Sequence, residues 1–430
     1  MNINSWSKPT AIAAVLATGF AALPGGVLAA TAPQVGSLFE IATGTDGGPP
    51  VIARGAGGSY VAAWDASAET GGHSNAQTFN ADGTPASSPF QIASSPFQSG
   101  FAPLAMDKNG NFVDVWFEYN SGNSTKQPYA GKVYAQRYAS NGAPQGAPIV
   151  VASSDGYALR GTIQVAMDDD GDFAVAWTER KDQTVLSLAY LVIEAQGSKT
   201  YATVYKANGQ VSKAKTAVNT VATKYCRTIA LAPPACFNFD VLKGLAMNGK
   251  GDLVMVFDVE RAASQQATTS VRTFDLQLKP LSNSLTLAGV ASFDVVGIDA
   301  ASNFSIAWND SSSTYVSRYS VSGSSLGTTA PIGTSVNPTL SVTPAGAFAV
   351  TWNVAGSSGS SFEKHAQYFN KDGPVNSAPF LIDDGIAQQN QSNTAAGIDA
   401  NGNLVTIWTS ILPGGANGIV GRSVTAPPLN

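Results

Sequence analysis

Seven times along this chain the same short phrase returns: a tight turn, then a five-residue apolar strand that closes on an aromatic ring. The copies begin with Gly58-Ser59-Tyr60 to Trp64 and Gly110-Asn111-Phe112 to Trp116. They continue with Gly171-Asp172-Phe173 to Trp177 and Gly251-Asp252-Leu253 to Phe257. The last three are Ser302-Asn303-Phe304 to Trp308, Gly346-Ala347-Phe348 to Trp352, and Gly402-Asn403-Leu404 to Trp408. Six of the seven tryptophans in the chain stand at this one position, so the phrase is a structural repeat. Its mean period is about 57 residues, near the length of a propeller blade.

Each copy has the same internal plan. A short apolar strand comes first, as in Pro103-Leu104-Ala105-Met106. A turn rich in Asp, Asn and Gly follows, residues that tolerate left-handed backbone. The aromatic-ending strand is next; its apolar density suits a strand covered on both faces. A third strand has a shared look, as in Tyr134-Ala135-Gln136-Arg137-Tyr138 and His365-Ala366-Gln367-Tyr368-Phe369. A second turn leads to a last strand, such as Pro89-Phe90-Gln91-Ile92. Four antiparallel strands per repeat make the blade of a β-propeller.

The fold expected is therefore all-β: one seven-bladed propeller over residues 36–425. The blades fall near 49–93, 102–152, 161–221, 241–288, 294–333, 338–382 and 394–425. The seventh copy ends after its third strand, and Ser37-Leu38-Phe39-Glu40-Ile41-Ala42 matches the last strand of the first copy. The N-terminal strand, 36–43, is thus expected to complete the last blade and cover two sheet edges. The third copy carries excess sequence at 179–200 and at 213–240.

The pattern resembles secreted bacterial β-propeller repeats of the form Asp-x-x-Gly-Asn, an apolar strand ending in Trp, Tyr-Ala-Gln-Arg-Tyr or Phe, then Gly-x-Pro. Met106-Asp107, Gly110-Asn111 and Tyr134 to Tyr138 carry the match best. The resemblance implies a seven-bladed propeller and an exported protein, and no particular activity. The Gly-His and Trp-Asp frame of WD repeats and the double glycine of Kelch repeats do not recur from copy to copy. In sialidase Asp-boxes the Trp lies three residues after the Gly; here it lies six after, from Gly110 to Trp116.

Residues 1–30 have the layout of an export signal, with cleavage near 29/30. Lys8 gives the positive start, Ala11 to Leu23 the apolar run, and Val27-Leu28-Ala29 the peptidase site. The run is short for a membrane span, and no other segment is apolar enough for one. The mature chain is expected to be secreted or periplasmic, and monomeric. The net charge of −5 offers no basic surface to nucleic acid. Charged residues are only 12% of the chain, with 43 glycines, which fits short strands and turns better than surface helices. Cys226 and Cys236 lie within the 213–240 insert and are expected to form a disulfide in an oxidising compartment; two free thiols are the alternative.

Propeller topology puts the loops from second to third strand, and those from blade to blade, on one face. Both third-copy inserts belong there. So do the acids just past each aromatic: Asp65, Glu118, Glu179, Asp258 and Asp310. Such acids are candidates for binding a cation, an amine or a sugar, and otherwise simply mark where strands meet water. Asp168, Asp170 and Asp172 around Gly171 suggest calcium, although turn chemistry accounts for the same residues. The tryptophans are expected in the core between blades. The recurring Arg137, Arg272, Arg318 and Arg422 are expected in structural pairing or on the outer surface. His73 and His365 belong to different blades, so nucleophilic catalysis has little support. The reading is a non-enzymatic scaffold with no cofactor, binding an extracellular glycan, peptide or protein on the insert-bearing face. The alternative is a glycoside hydrolase or lyase using two of the mouth carboxylates.

Overall fold

The computed structural model describes residues 32–45, 48–65, 73–94, 103–119, 131–154, 163–186, 191–220, 226–227, 235–236, 239–260, 268–287, 292–309, 313–332, 336–355, 362–375, 378–383 and 394–429. Among them every regular element is a β-strand. No helix is long and apolar enough to cross a membrane. The export segment expected at 1–30 lies outside the described residues.

The strands form seven antiparallel blades. Their first strands are Val51–Arg54, Leu104–Met106, Gln164–Met167, Phe239–Met247, Ser292–Ile298, Val336–Val342 and Thr394–Ile398. Each lies beside the first strands of both neighbouring blades, the first blade beside the seventh included, so the ring is closed. The last blade takes its outer strand from the other end of the chain. Phe39–Thr43 pairs with Asn417–Thr425, with Phe39 opposite Gly421 and Thr43 opposite Gly418.

Strand alternation explains why one phrase builds every seam. Successive side chains of a strand point to opposite faces. Positions one, three and five of the repeated strand therefore face the preceding blade, and positions two and four the following one. Phe173, Val175 and Trp177 of blade three pack on Val113, Val115, Val133 and Ala135 of blade two. Seven such apolar clusters are shared between neighbouring blades. The tryptophans are core, as expected: Trp177 and Trp408 are almost fully buried. Two aromatic layers strengthen the blades. Phe112 stacks on Tyr138 at 4.8 Å between ring centres, and Trp116 on Tyr134 at 5.4 Å. Such pairs contribute about 0.5–1.5 kcal/mol beyond burial.

In five blades the turn between first and second strand is built by a buried Asp or Asn: Asp107, Asp168, Asn248, Asp299 and Asp399. Asp107 Oδ1 accepts the amides of Asn109 and Asn111 at 2.8 and 2.9 Å, and Asp299 and Asp399 do the same in their own blades. Gly110 then takes a positive φ of 86°, which only glycine adopts freely. Blade five has Ser302 at that position with φ 64°. Its hydroxyl donates to Asp252 of blade four and accepts Asn248 Nδ2 at 3.1 Å, which offsets the strain.

Candidate functional site

The mouth on which the aromatic strands end is the expected binding face. The residue immediately after the aromatic points to the following blade and, except for Phe117 of blade two, is polar. Thr178 lies opposite Thr200 and shares a 3.0 Å hydrogen bond with it. Asp258 accepts from Thr269 at 3.1 Å, and Asn353 accepts from Lys364 at 3.4 Å. These polar residues form a layer that also ties blades together. Thr178 Oγ1 accepts the Leu242 amide at 3.0 Å, Asn353 accepts the Thr394 hydroxyl at 3.0 Å, and Thr409 donates to the Gly48 carbonyl at 2.6 Å.

This divides the five expected acids. Asp65 and Asp258 stand one residue past the aromatic; Glu118 and Glu179 stand two past it. They lie on opposite faces of their blades, so the four do not form one ring. Asp310 lies outside the described residues. Glu118 Oε1 accepts the Trp116 indole N–H at 3.1 Å, and Glu179 Oε1 accepts that of Trp177 at 3.0 Å. These carboxylates satisfy buried indole donors that would otherwise be unpaired. Lys215 pairs with Glu179 and rests over the Tyr201 ring at 4.1 Å. Burial raises the pKa of Asp258, opposed by Lys243 at 3.6 Å. Among the described residues no hydrogen bond or ion pair joins two of these carboxylates.

The excess sequence of blade three takes two forms. Residues 179–200 continue the strands as a ribbon, with Phe173–Leu186 paired to Leu191–Tyr205 as far as Leu186 opposite Leu191. In blade seven the same strand stops at Ile411, three residues past its Trp; here it runs nine past Trp177. The difference is about 20 Å at ~3.4 Å per residue. Thr184, Val185, Val192 and Ile193 give the ribbon its β-branched composition. The stretch expected as insert at 213–240 begins as blade: Val211–Thr220 is the fourth strand. Beyond it, Cys226–Arg227 pairs with Ala235–Cys236, which puts Cys226 directly opposite Cys236. This small hairpin lies against the third strand of the same blade.

The acidic turn Asp168 to Asp172 is on the other face. Asp168 Oδ1 accepts the amides of Asp170 and Asp172 at 3.0 and 2.9 Å. Burial nevertheless raises its pKa to about 6. Asp170 pairs with Lys108 at 3.2 Å, and Asp172 accepts the Ala207 amide at 2.8 Å. The three carboxylates are thus engaged separately, and no cluster of three metal-ligating side chains occurs among the described residues. The recurring arginines bond to neighbouring chain: Arg137 to Gln145, Arg272 to Ser282, Arg318 to Lys371 and Arg422 to Gly36. His365 stacks on Trp352 and contacts Glu363, while His73 belongs to blade one.

Buried charges at Arg54, Lys364 and Asp114 are among those that escaped the sequence reading. Arg54 stands where six blades have Met106, Met167, Met247, Ile298, Val342 and Ile398, each opposite position one of the repeated strand. It donates to Asp399 of blade seven at 3.2 Å and to the carbonyls of Asn403 and Gly58 at 3.0 and 3.1 Å. Gly397 makes room: a Cβ there would approach Arg54 Cβ at 2.8 Å. Lys364, buried between blades six and seven, lies 5.3 Å over the Trp408 ring. Burial lowers its pKa to about 8, against the pull of Asp383. Asp114 is the third. Comparing the seven copies column by column is the signal that finds Arg54 and Asp114.

No protein-family model and no curated protein matches this chain. Its fold has counterparts among solved structures. A protein of unknown function from Dyadobacter fermentans is 11% identical over 76% of this chain and 95% of that one, with a TM-score of 0.45. The Dos1 propeller is 9% identical over 91% and 95%, at 0.43. Prolyl oligopeptidase B from Galerina marginata is 11% identical over 84% of this chain, at 0.44; the match covers 46% of that enzyme.

Proposed function

We propose that this chain is an exported, non-enzymatic scaffold that binds a peptide, protein or glycan at the mouth carrying the blade-three ribbon. The observation that carries the reading is the ribbon itself. It extends past the blade through paired backbone from Glu179 opposite Lys199 to Leu186 opposite Leu191. Closing a blade does not need those residues, and an isolated two-stranded hairpin is marginal in water. Val185, Leu186, Leu191, Val192 and Ile193 make its outer end apolar in sequence, a composition suited to contact with a macromolecular partner. Glu118, Glu179 and Asp258 are engaged by indole, hydroxyl and ammonium donors, which favours binding over carboxylate-pair hydrolysis.

Export follows from the layout of residues 1–30 and from the resemblance to secreted repeats. In that setting Cys226 and Cys236 form a disulfide across the small hairpin; their directly opposed backbone positions suit one. The test replaces 181–197 with an Asn-Gly turn and screens both proteins on a glycan array and a displayed peptide library, alongside a reducing-sugar assay. Ligands retained by the parent and lost by the shortened, equally stable variant are expected. Full retention of binding, or sugar turnover by the parent, would overturn the reading.

A further inference from the structure

Asp114 is fully buried, and neither side-chain oxygen has a hydrogen-bond partner among the described residues. It occupies position three of the repeated strand, where the sister copies carry Ala62, Val175, Met255, Ile306, Val350 and Thr406. Its strand face is that of Phe112 and Trp116, which looks onto blade one. The surface opposite is apolar: Val61, Ala63, Ala76 and Ile92. Gln136 lies directly across the strand pair, but its amide donates to the carbonyls of Arg137 and Gly146.

The Thr78 hydroxyl, opposite Val61 on blade one, is likewise buried with no hydrogen-bond partner among the described residues; the charged and phenolic groups of this seam have their own partners or lie nearer the mouth. The Tyr138 phenol donates to the Ile92 carbonyl at 2.7 Å. Glu118 accepts the Trp116 indole, and Lys132 lies opposite Glu118. Asp65 ends the strand of blade one, two positions past Ala63. No ion pair reaches Asp114 among the described residues. An ionised carboxylate so placed is strongly disfavoured, and the neutral acid is far easier to bury.

We propose that Asp114 is a proton-operated latch on the seam between blades one and two, shut while its carboxyl is neutral and loosened when the carboxyl ionises. Opening hydrates the group and releases one proton to solvent; closing takes one up. Burial pushes the Asp114 pKa well above the usual carboxylate range. Above the unfolded value near ~4 the closed form binds more protons than the open one, so closure weakens as pH rises. The weakening ends at the raised value of the folded state. The seam is tightest in acid.

Urea unfolding of the parent and of Asp114→Asn, from pH 4 to 9 at fixed ionic strength, tests this. The folding constant of the parent relative to the variant is expected to fall with pH, by up to about tenfold per unit within the window. Hydrogen exchange at Val61, Ala63 and Val113 is expected to speed up over the same range in the parent only. A ratio independent of pH overturns the latch. Should that variant not fold, difference infrared spectra of the parent against Asp114→Val over the same pH range decide: a protonated-carboxyl band persisting above the ~4 of a free carboxyl is expected, and its loss at that value refutes the proposal.

Discussion

The seam between blades seven and one and the seam between blades one and two each carry a charged residue where sister blades are uncharged. Arg54 in the first is surrounded by acceptors: a carboxylate and two carbonyls. Asp114 in the second has no hydrogen-bond donor to its carboxylate among the described residues. The contrast separates two meanings of a buried charge. A satisfied pair fixes which surfaces meet, here at the place where the ring must close on itself. An unsatisfied acid stores a dependence on protons. Burial depresses the Arg54 pKa while Asp399 works against it; for Asp114 burial outweighs the one opposing influence, the Val115 backbone, and no charge among the described residues opposes it.

The largest effect is expected on the satisfied side. Asp399→Ala strands the Arg54 guanidinium and removes the acceptor of the Asn401 and Asn403 amides. Loss of about 3–5 kcal/mol is expected in urea unfolding. Combining Arg54→Met with Asp399→Asn should recover most of it, since Met serves in blades two to four. Recovery of nothing would mean the pair is not what closes the seam. On the unsatisfied side the sign reverses: Asp114→Val, copying Val175, is expected to be neutral or to stabilise by about 1–4 kcal/mol at neutral pH. A clear destabilisation would break the comparison.

Lys364 is a third case, cationic and partly satisfied. Its folded pKa is about 8 against 10.5 for the free side chain. Between those values the unfolded chain binds the extra proton, so parent stability should rise with pH relative to Lys364→Met. A flat difference across that window would place Lys364 with the satisfied charges. The smallest effect belongs to the neutral polar layer. Thr178→Val removes the acceptor of the Leu242 amide and should cost about 1 kcal/mol or slightly more by thermal unfolding.

Much of the architecture was legible because a repeat reports itself seven times. The Trp column gave the blade count, and the match of Phe39 to Phe90 gave the closure. The site was less legible for a reason rooted in strand geometry. Asp65 and Glu118 look equivalent as acids after an aromatic, yet one residue of offset sends them to opposite faces. Parity would have divided them from sequence alone. Asp114 was hidden by its company, since Phe112-Val113-Asp114-Val115-Trp116 reads as one more apolar strand. Only comparison with Ala62, Val175 and Ile306 marks it. The ribbon was legible as excess length; its strand pairing depends on a register shift between Lys181 and Asp182 that composition does not announce.

The pairing of Phe39–Thr43 with Asn417–Thr425 has a consequence for the order of events in folding. The earliest blade strand to be synthesised finds its partner only when the last has been made. Until then the nascent ring holds an open sheet edge at each end. Closing contacts of such sequence separation slow folding, because the chain between them must be ordered before they are rewarded. The final blade is therefore a checkpoint: a chain truncated near Asn417 retains six blades' worth of sequence and has no way to finish the circle.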